Sequence, residues 1–157
     1  AVTAELIKID PKAESYFKDQ RMTFTTQLQP YTTLIDKIKA AAAGKTYAAT
    51  ESIFDYQAQA MGLGNKTPEG YQRAAANESD PSPADIEAFR SALAGRQIDV
   101  LIYNTQTEGA LPQQIRAAAE AAGVPVVEVT ETVAPGAKTF EAWQMDQLTA
   151  LAKALGV

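Results

Sequence analysis

Beyond residue 44 the chain alternates short strand-like runs with helical segments, and this alternation constrains the fold more than any other feature. Runs with strand character cover residues 45–51, 98–103 and 124–130, and a helical pattern follows each of them. Parallel strands need a crossover, usually a helix, to bring the chain back to the same end of a sheet. We therefore predict an α/β fold in which a small parallel sheet of three or four strands is flanked by helices.

The first 43 residues carry helical patterns only. Residues 1–10 have apolar side chains at helical spacing with no capping residue before Ala1, which is typical of the final part of a helix. A second pattern predicts one long helix from about Pro11 to Ala43, ended by Gly44. Pro30 lies inside this helix and is expected to bend it, because proline removes one backbone hydrogen bond and its ring clashes with the preceding turn.

Composition excludes several classes of function. The 157 residues are 46% hydrophobic and 21% charged, which is typical of a globular domain with a closed core. A net charge of -5, with no cluster of basic residues, argues against binding to nucleic acid or to anionic membranes. The chain has no cysteine, which excludes thiol chemistry, and no histidine, which weakens the case for the common hydrolase schemes built on a Ser/His or Cys/His pair.

Two acidic residues, Glu51 and Glu131, follow two of the predicted strands at the point where each strand ends. The carboxyl ends of parallel strands share one edge of the sheet, so these side chains can converge on a single ligand. Carboxylates are hard oxygen donors, which suit a divalent cation such as manganese. A glutamate in this position is also commonly a solvated residue or a favourable charge at a helix amino end, so position alone leaves both interpretations open.

Further polar residues follow the predicted strand at residues 98–103. Asn104, Gln106 and Glu108 would lie at the same edge of the sheet as the two glutamates. Metal ligands in proteins are usually oriented by hydrogen bonds from surrounding side chains, and Asn104 and Gln106 are candidates for that role. The alternative is an ordinary polar loop.

Several segments, in one order along the chain, match the pattern of a known protein family. They are residues 49–56 (ATESIFDY), 80–83 (DPSP), 100–106 (VLIYNTQ), 122–132 (AGVPVVEVTET) and 139–148 (TFEAWQMDQL), and the entry into the long helix at Ile9, Asp10 and Pro11 fits as well. Together they resemble the carboxy-terminal half of the periplasmic metal-binding proteins that supply zinc or manganese to ABC importers, the TroA-like or ZnuA-like solute-binding proteins.

The resemblance implies a division of the chain and a set of metal ligands. Residues 1–43 would be the end of one helix and the long helix between two lobes, and residues 44–157 the carboxy-terminal metal-binding lobe. Glu51 and Glu131 would be the metal ligands of this lobe. Family members usually bring two histidines from an amino-terminal lobe, and we expect that lobe to precede this chain.

The resemblance also implies a function. The protein would capture Mn²⁺ or Zn²⁺ as transported cargo between its lobes and deliver it to an ABC permease in the membrane. It would have no catalytic residue, no cofactor-binding residue and no enzymatic activity. It would be extracytoplasmic, either periplasmic or a cell-surface lipoprotein, with a chelatase-like fold. One departure from the family is residues 67–77, which predict a helix where many relatives have a further short strand, so the number of strands stays open.

Two other functions are compatible with the same residues. The first is a self-contained flavodoxin-like module that binds a small ligand or a protein, with the two glutamates incidental. The second is an acid-base enzyme that uses Glu51 and Glu131 as a carboxylate pair, as glycosidases do.

Overall fold

The structure is a computed structural model that describes residues 1–107 and 109–157. Glu108, the third polar residue predicted at the sheet edge, therefore lies outside the described residues. The helices are α1 (Val2–Ile9), α2 (Glu14–Gln27), α3 (Gln29–Ala41), α4 (Asp55–Met61), α5 (Glu69–Ala76), α6 (Pro83–Ala94), α7 (Ala110–Ala122) and α8 (Phe140–Leu155). The strands are β1 (Thr46–Ala49), β2 (Gly64–Asn65), β3 (Val100–Asn104) and β4 (Val126–Val129).

The strands form one parallel sheet in the order β2-β1-β3-β4. The predicted α/β fold is confirmed, and the sheet has four strands within the described residues. The fourth strand is β2, which pairs with β1 through Thr46↔Gly64 and lies just before α5. The helix predicted at residues 67–77 and an additional short strand are therefore both present.

Both faces of the sheet are covered by helices, which leaves the strand ends as the open edge of the domain. On one face Ile102 packs in a cluster with Ile38 of α3, Met61 of α4 and Leu151 of α8. On the other face Leu101 packs with residues of α5, α6 and α7, including Tyr71, Phe89, Leu93 and Ile115. The side chains of neighbouring residues of β3 thus pack on opposite faces of the sheet, as the two-residue period of a strand requires. A side chain that leaves the carboxyl end of a strand can consequently reach solvent.

The long helix predicted between Pro11 and Ala43 is divided. A short turn of 3-10 helix at Pro11–Ala13 leads into α2, and Leu28 separates α2 from α3. Pro30 lies in the first turn of α3, where its missing N–H would have had no partner within the helix. The bend expected from Pro30 is therefore placed at Leu28, two residues earlier, because the proline favours the start of a new helix.

Candidate metal site

Three adjacent strands bring the site residues to one edge of the sheet. Asn104 is the last residue of β3, the central strand, while Glu51 and Glu131 follow its two neighbours, β1 and β4. Pairing between β1 and β3 continues past the strand end, because the Thr50 N–H donates to Ile102 O at 3.1 Å. The Asn104 N–H then donates to Thr50 Oγ1 at 3.3 Å. Glu51 consequently leaves β1 beside the end of β3.

The two carboxylates meet at the side chain of Asn104. Asn104 Nδ2 donates to Glu51 Oε2 at 2.6 Å and to Glu131 Oε1 at 3.2 Å. The structure thus brings together the two glutamates singled out from the sequence, through an amide that was itself a candidate. Their separation along the chain is irrelevant to this contact, because the strand order β1-β3-β4 makes them neighbours.

Gln106 positions the segment that carries Glu131. Gln106 Oε1 accepts hydrogen bonds from the backbone N–H groups of Glu131, at 2.7 Å, and Thr132, at 3.2 Å. Gln106 Nε2 also donates to Thr132 Oγ1 at 2.7 Å. This side chain therefore ties the loop after β3 to the loop after β4, and it contacts the backbone of Glu131 and not its carboxylate.

Two threonines, Thr107 and Thr130, also form hydrogen bonds at the site, and the sequence analysis did not identify either as a site residue. Thr107 Oγ1 donates to Glu51 Oε1, so the two oxygens of that carboxylate have different donors. Thr130 lies before Glu131, and its N–H donates to Gln147 Oε1 at 2.7 Å. Threonines near strand ends are too common to be recognised as site residues. Only their contacts in the folded chain identify them.

Trp143 joins helix α8 to the same loop. Its indole Nε1 donates to Thr130 Oγ1 at 2.8 Å, and Thr130 Oγ1 donates in turn to Thr132 O at 2.7 Å. Of the aromatic residues within the segments that carry the resemblance, Phe54, Tyr103 and Trp143 are buried, whereas Tyr56 is 85% exposed. Trp143 is thus a buried residue that also contacts the loop carrying Glu131, whereas the side chain of Tyr56 is exposed to solvent.

The negative charge of Glu51 acts on the buried side chain of Tyr71. Burial raises the pKa of Tyr71 to about 12, and the negative charge of Glu51 adds to the effect, followed by Tyr103. Tyr71 packs edge-on against Phe89 in the core beneath the sheet edge. Asn104 is only 2% exposed, Glu51 is half-buried and Glu131 is exposed, so a cation would approach the carboxylates from the solvent side.

The pair of carboxylates is an incomplete donor set. Among the described residues, no group of three or more histidine, cysteine, aspartate or glutamate side chains is placed to hold a metal ion. Zn²⁺ takes about four ligands and the hard divalent cations about six or more. A divalent cation held by these two carboxylates would therefore need further ligands from other groups.

Similarity to known proteins identifies the family of the chain. The family model of the zinc-uptake complex component A, periplasmic (ZnuA), matches residues 1–154. The chain belongs to the ZnuA family. The resemblance inferred from the sequence motifs is thereby confirmed, and the flavodoxin-like alternative is not favoured. No curated protein sequence matches the chain at a significant level.

Solved structures share the fold of this ZnuA-family chain. The periplasmic zinc-binding protein TroA from Treponema pallidum is 19% identical with a TM-score of 0.69, and the alignment covers 98% of this chain and 56% of that one. FpvC from Pseudomonas aeruginosa, solved in complex with Mn²⁺, is 16% identical with a TM-score of 0.68, over 99% and 57%. The laminin-binding protein Lmb of Streptococcus agalactiae is 19% identical with a TM-score of 0.73, over 98% and 58%. The chain thus spans a little more than half the length of these structures.

Proposed function

We propose that this chain supplies the carboxylate half of the metal site in an extracytoplasmic solute-binding protein. The whole protein would capture Mn²⁺ or Zn²⁺ between two lobes and deliver it to an ABC permease. The observation that carries the proposal is the convergence of Glu51 and Glu131 on one buried amide at the open edge of the sheet. Membership of a family of periplasmic zinc-uptake proteins supplies the biological setting.

Electrostatics explains why such a site takes a cation. Two carboxylates beside one another repel, and a neutral amide offsets that repulsion only partly. A divalent cation carries the charge that neutralises both groups, and its binding free energy includes relief of their repulsion. Because Glu131 is exposed and Glu51 half-buried, desolvation of the pair before binding is incomplete and its cost is moderate. Glu51 and Glu131 are therefore the proposed ligands, with Asn104 and Gln106 as their hydrogen-bonded supports.

A second lobe would provide the remaining ligands. The proposed division places residues 1–43 between the lobes and residues 44–157 in the lobe that carries the two glutamates. Helices α1 and α2 bury none of their described side chains, and they expose the apolar residues Val2, Ile9, Tyr16 and Met22. Helices α1 and α2 contact each other, so these exposed apolar side chains lie on neighbouring helices. Exposed apolar side chains on such a pair of helices favour the docking of another part of the protein, and they support a second lobe packed there.

The choice between manganese and zinc depends on the ligands outside this chain. Carboxylate oxygens are hard donors and favour Mn²⁺, whereas the general stability order of divalent metals favours Zn²⁺. With two carboxylates from Glu51 and Glu131, an additional set of oxygen ligands would select Mn²⁺, and two nitrogen ligands in tetrahedral geometry would select Zn²⁺.

The proposed location is the periplasm or the outer face of a membrane. None of the helices among the described residues is long and apolar enough to cross a bilayer. Delivery to a permease would bring the open sheet edge, with its bound cation, towards the membrane protein. No chemical step is needed, so the proposed protein binds and releases its cargo without catalysis.

Calorimetric titration tests the proposal directly. Mn²⁺ and Zn²⁺ are titrated into the chain and into its Glu51→Gln and Glu131→Gln variants, with Glu69→Gln as the matched control because Glu69 is exposed on α5. We expect weak binding by the isolated chain, a loss of at least about tenfold for each site variant, and no change for the control. Equal affinities in all four proteins would contradict the assignment of the two glutamates as ligands.

A further inference from the structure

We infer that Asn104 is a neutral brace that keeps Glu51 and Glu131 paired whether or not a cation is bound. The inference rests on the proposed function, because it concerns the same two ligands. It goes further by assigning a distinct role to a residue that would not itself touch the metal. It also explains why an amide, and not a carboxylate, occupies the end of β3.

The orientation of the Asn104 amide is determined by its contacts. Its Oδ1 accepts the backbone N–H of Gln106 at 2.9 Å, while its Nδ2 donates to both carboxylates. The opposite orientation would set the amide oxygen against two carboxylates and its NH₂ group against a backbone donor. Each of those contacts would be repulsive, so a single orientation is stable.

Burial makes this amide a fixed part of the site. Asn104 is 2% exposed, and its backbone N–H is bonded to Thr50 Oγ1. A buried polar side chain with all its partners satisfied cannot leave them without a penalty, since no water replaces the lost hydrogen bonds. The amide therefore supports the carboxylates from beneath, and the cation approaches from the exposed side where Glu131 meets solvent.

Neutrality is the essential property of the brace. An aspartate at position 104 would have nearly the same shape, and one of its oxygens would still accept the Gln106 N–H. Its other oxygen would face Glu51 and Glu131 with no hydrogen to donate, so three carboxylates would meet at one point. Such a cluster is stable only when a proton or a cation compensates it. The asparagine thus allows the pair to persist before a cation arrives, which reduces the reorganisation needed for binding.

The test introduces a negative charge at position 104 and measures thermal unfolding without metal. Asn104→Asp is compared with Asn77→Asp, which adds the same charge at an exposed position. We expect Asn104→Asp to lower Tm by at least about 6 °C more than the control does. The double variant Asn104→Asp with Glu131→Gln restores two carboxylates and one amide, and it should recover at least half of that loss. Addition of Mn²⁺ should raise the Tm of Asn104→Asp more than that of the control.

Each outcome has a definite meaning. Equal stability of Asn104→Asp and Asn77→Asp overturns the brace, and so does a loss that Glu131→Gln fails to recover. If Asn104→Asp does not fold, recovery of folding in the double variant upholds the brace and its absence overturns it. Recovery by Glu131→Gln without any effect of Mn²⁺ upholds the brace and counts against the proposed metal function, so the two failures are distinguishable.

Discussion

The side-chain oxygen of Gln106 accepts the backbone N–H of Glu131 at 2.7 Å, which links the loops that follow two different strands. This contact places the backbone of one proposed ligand without touching its carboxylate. A substitution of Gln106 therefore alters the position of Glu131, whereas a substitution of Glu131 itself alters its charge, so the two properties can be tested independently.

Replacement of Gln106 by alanine should loosen the loop that carries Glu131, although the protein keeps both carboxylate groups. The variant loses its hydrogen bonds to the N–H groups of Glu131 and Thr132. Residues that orient metal ligands through hydrogen bonds typically contribute about 10- to 100-fold to metal affinity. Calorimetry with Mn²⁺ measures the effect, with Gln113→Ala as control because Gln113 is exposed on α7. Undiminished affinity in Gln106→Ala would show that the loop holds its shape without this side chain.

Replacement of Thr130 by valine should destabilise the protein and change its tryptophan emission. The chain has one tryptophan, and Thr130 Oγ1 accepts the N–H of that buried indole at 2.8 Å. Loss of the acceptor leaves a buried donor unsatisfied, which costs about 1–3 kcal/mol. Urea unfolding followed by Trp143 fluorescence measures both effects. The control is Thr149→Val on the exposed face of α8, and a spectrum and midpoint like those of this control would refute the prediction.

Replacement of Gly70 by alanine should destabilise the start of α6 although Gly70 lies in α5. A β-carbon at position 70 would overlap the carboxyl group of Asp85. That carboxyl forms the capping box of α6 with Ser82, whose Oγ accepts the Asp85 N–H at 3.2 Å. Displacement of Asp85 should cost about 1 kcal/mol, the typical value of a helix cap. Chemical denaturation compares it with Gly64→Ala, where the added carbon meets only ordinary contacts. Equal midpoints would mean that the loss at the cap does not exceed the stabilisation of about 1 kcal/mol that alanine gives a helix over glycine.

The pH dependence of stability should include a contribution from Asp99. The hydrogen bond from Lys45 lowers the pKa of Asp99 most, and bonds from the backbone and hydroxyl of Thr46 act in the same direction against the effect of burial. A carboxyl with a depressed folded-state pKa stabilises the fold above its unfolded pKa, near its usual value of about 4, and loses this effect as pH falls further.

Comparison with Asp99→Asn isolates that contribution. The variant should be less stable than the parent chain at pH 6, and the difference should shrink as pH falls below about 4. Urea midpoints across that range measure it, with Asp36→Asn on an exposed position of α3 as the matched control. A difference that stays constant with pH would show that the charge of Asp99 does not stabilise the fold.

The sequence predicted the architecture well because local patterns carry most of the information about it. The runs ending near Glu51 and Glu131 are strands, and Ser82 with Pro83 begins a helix through a capping box, which these residue types favour. Strand β2 was not foreseen as such, since Gly64 and Asn65 have low strand propensity. Its pairing with β1 supplies the stabilisation that its own residues lack.

The break in the first long helix shows the same limit. Apolar spacing continues across Leu28 without interruption, so the pattern predicted one helix with a bend. The structure ends α2 and restarts at α3, where Leu28 packs partly buried and Pro30 takes a first-turn position. Periodicity reports which face of a helix is apolar, whereas the exact location of a break depends on the balance of backbone hydrogen bonds.

The sequence by itself determined that two glutamates end strands, that helices alternate with those strands, and that no histidine or cysteine is present in this chain. Only the tertiary structure decided that β3 lies between β1 and β4, and thus that Asn104 stands between Glu51 and Glu131. The reason is physical: residue types and their period are local properties, while strand order is set by the way helices pack on both faces of the sheet. A contact between residues distant in the chain exists only once that packing is complete.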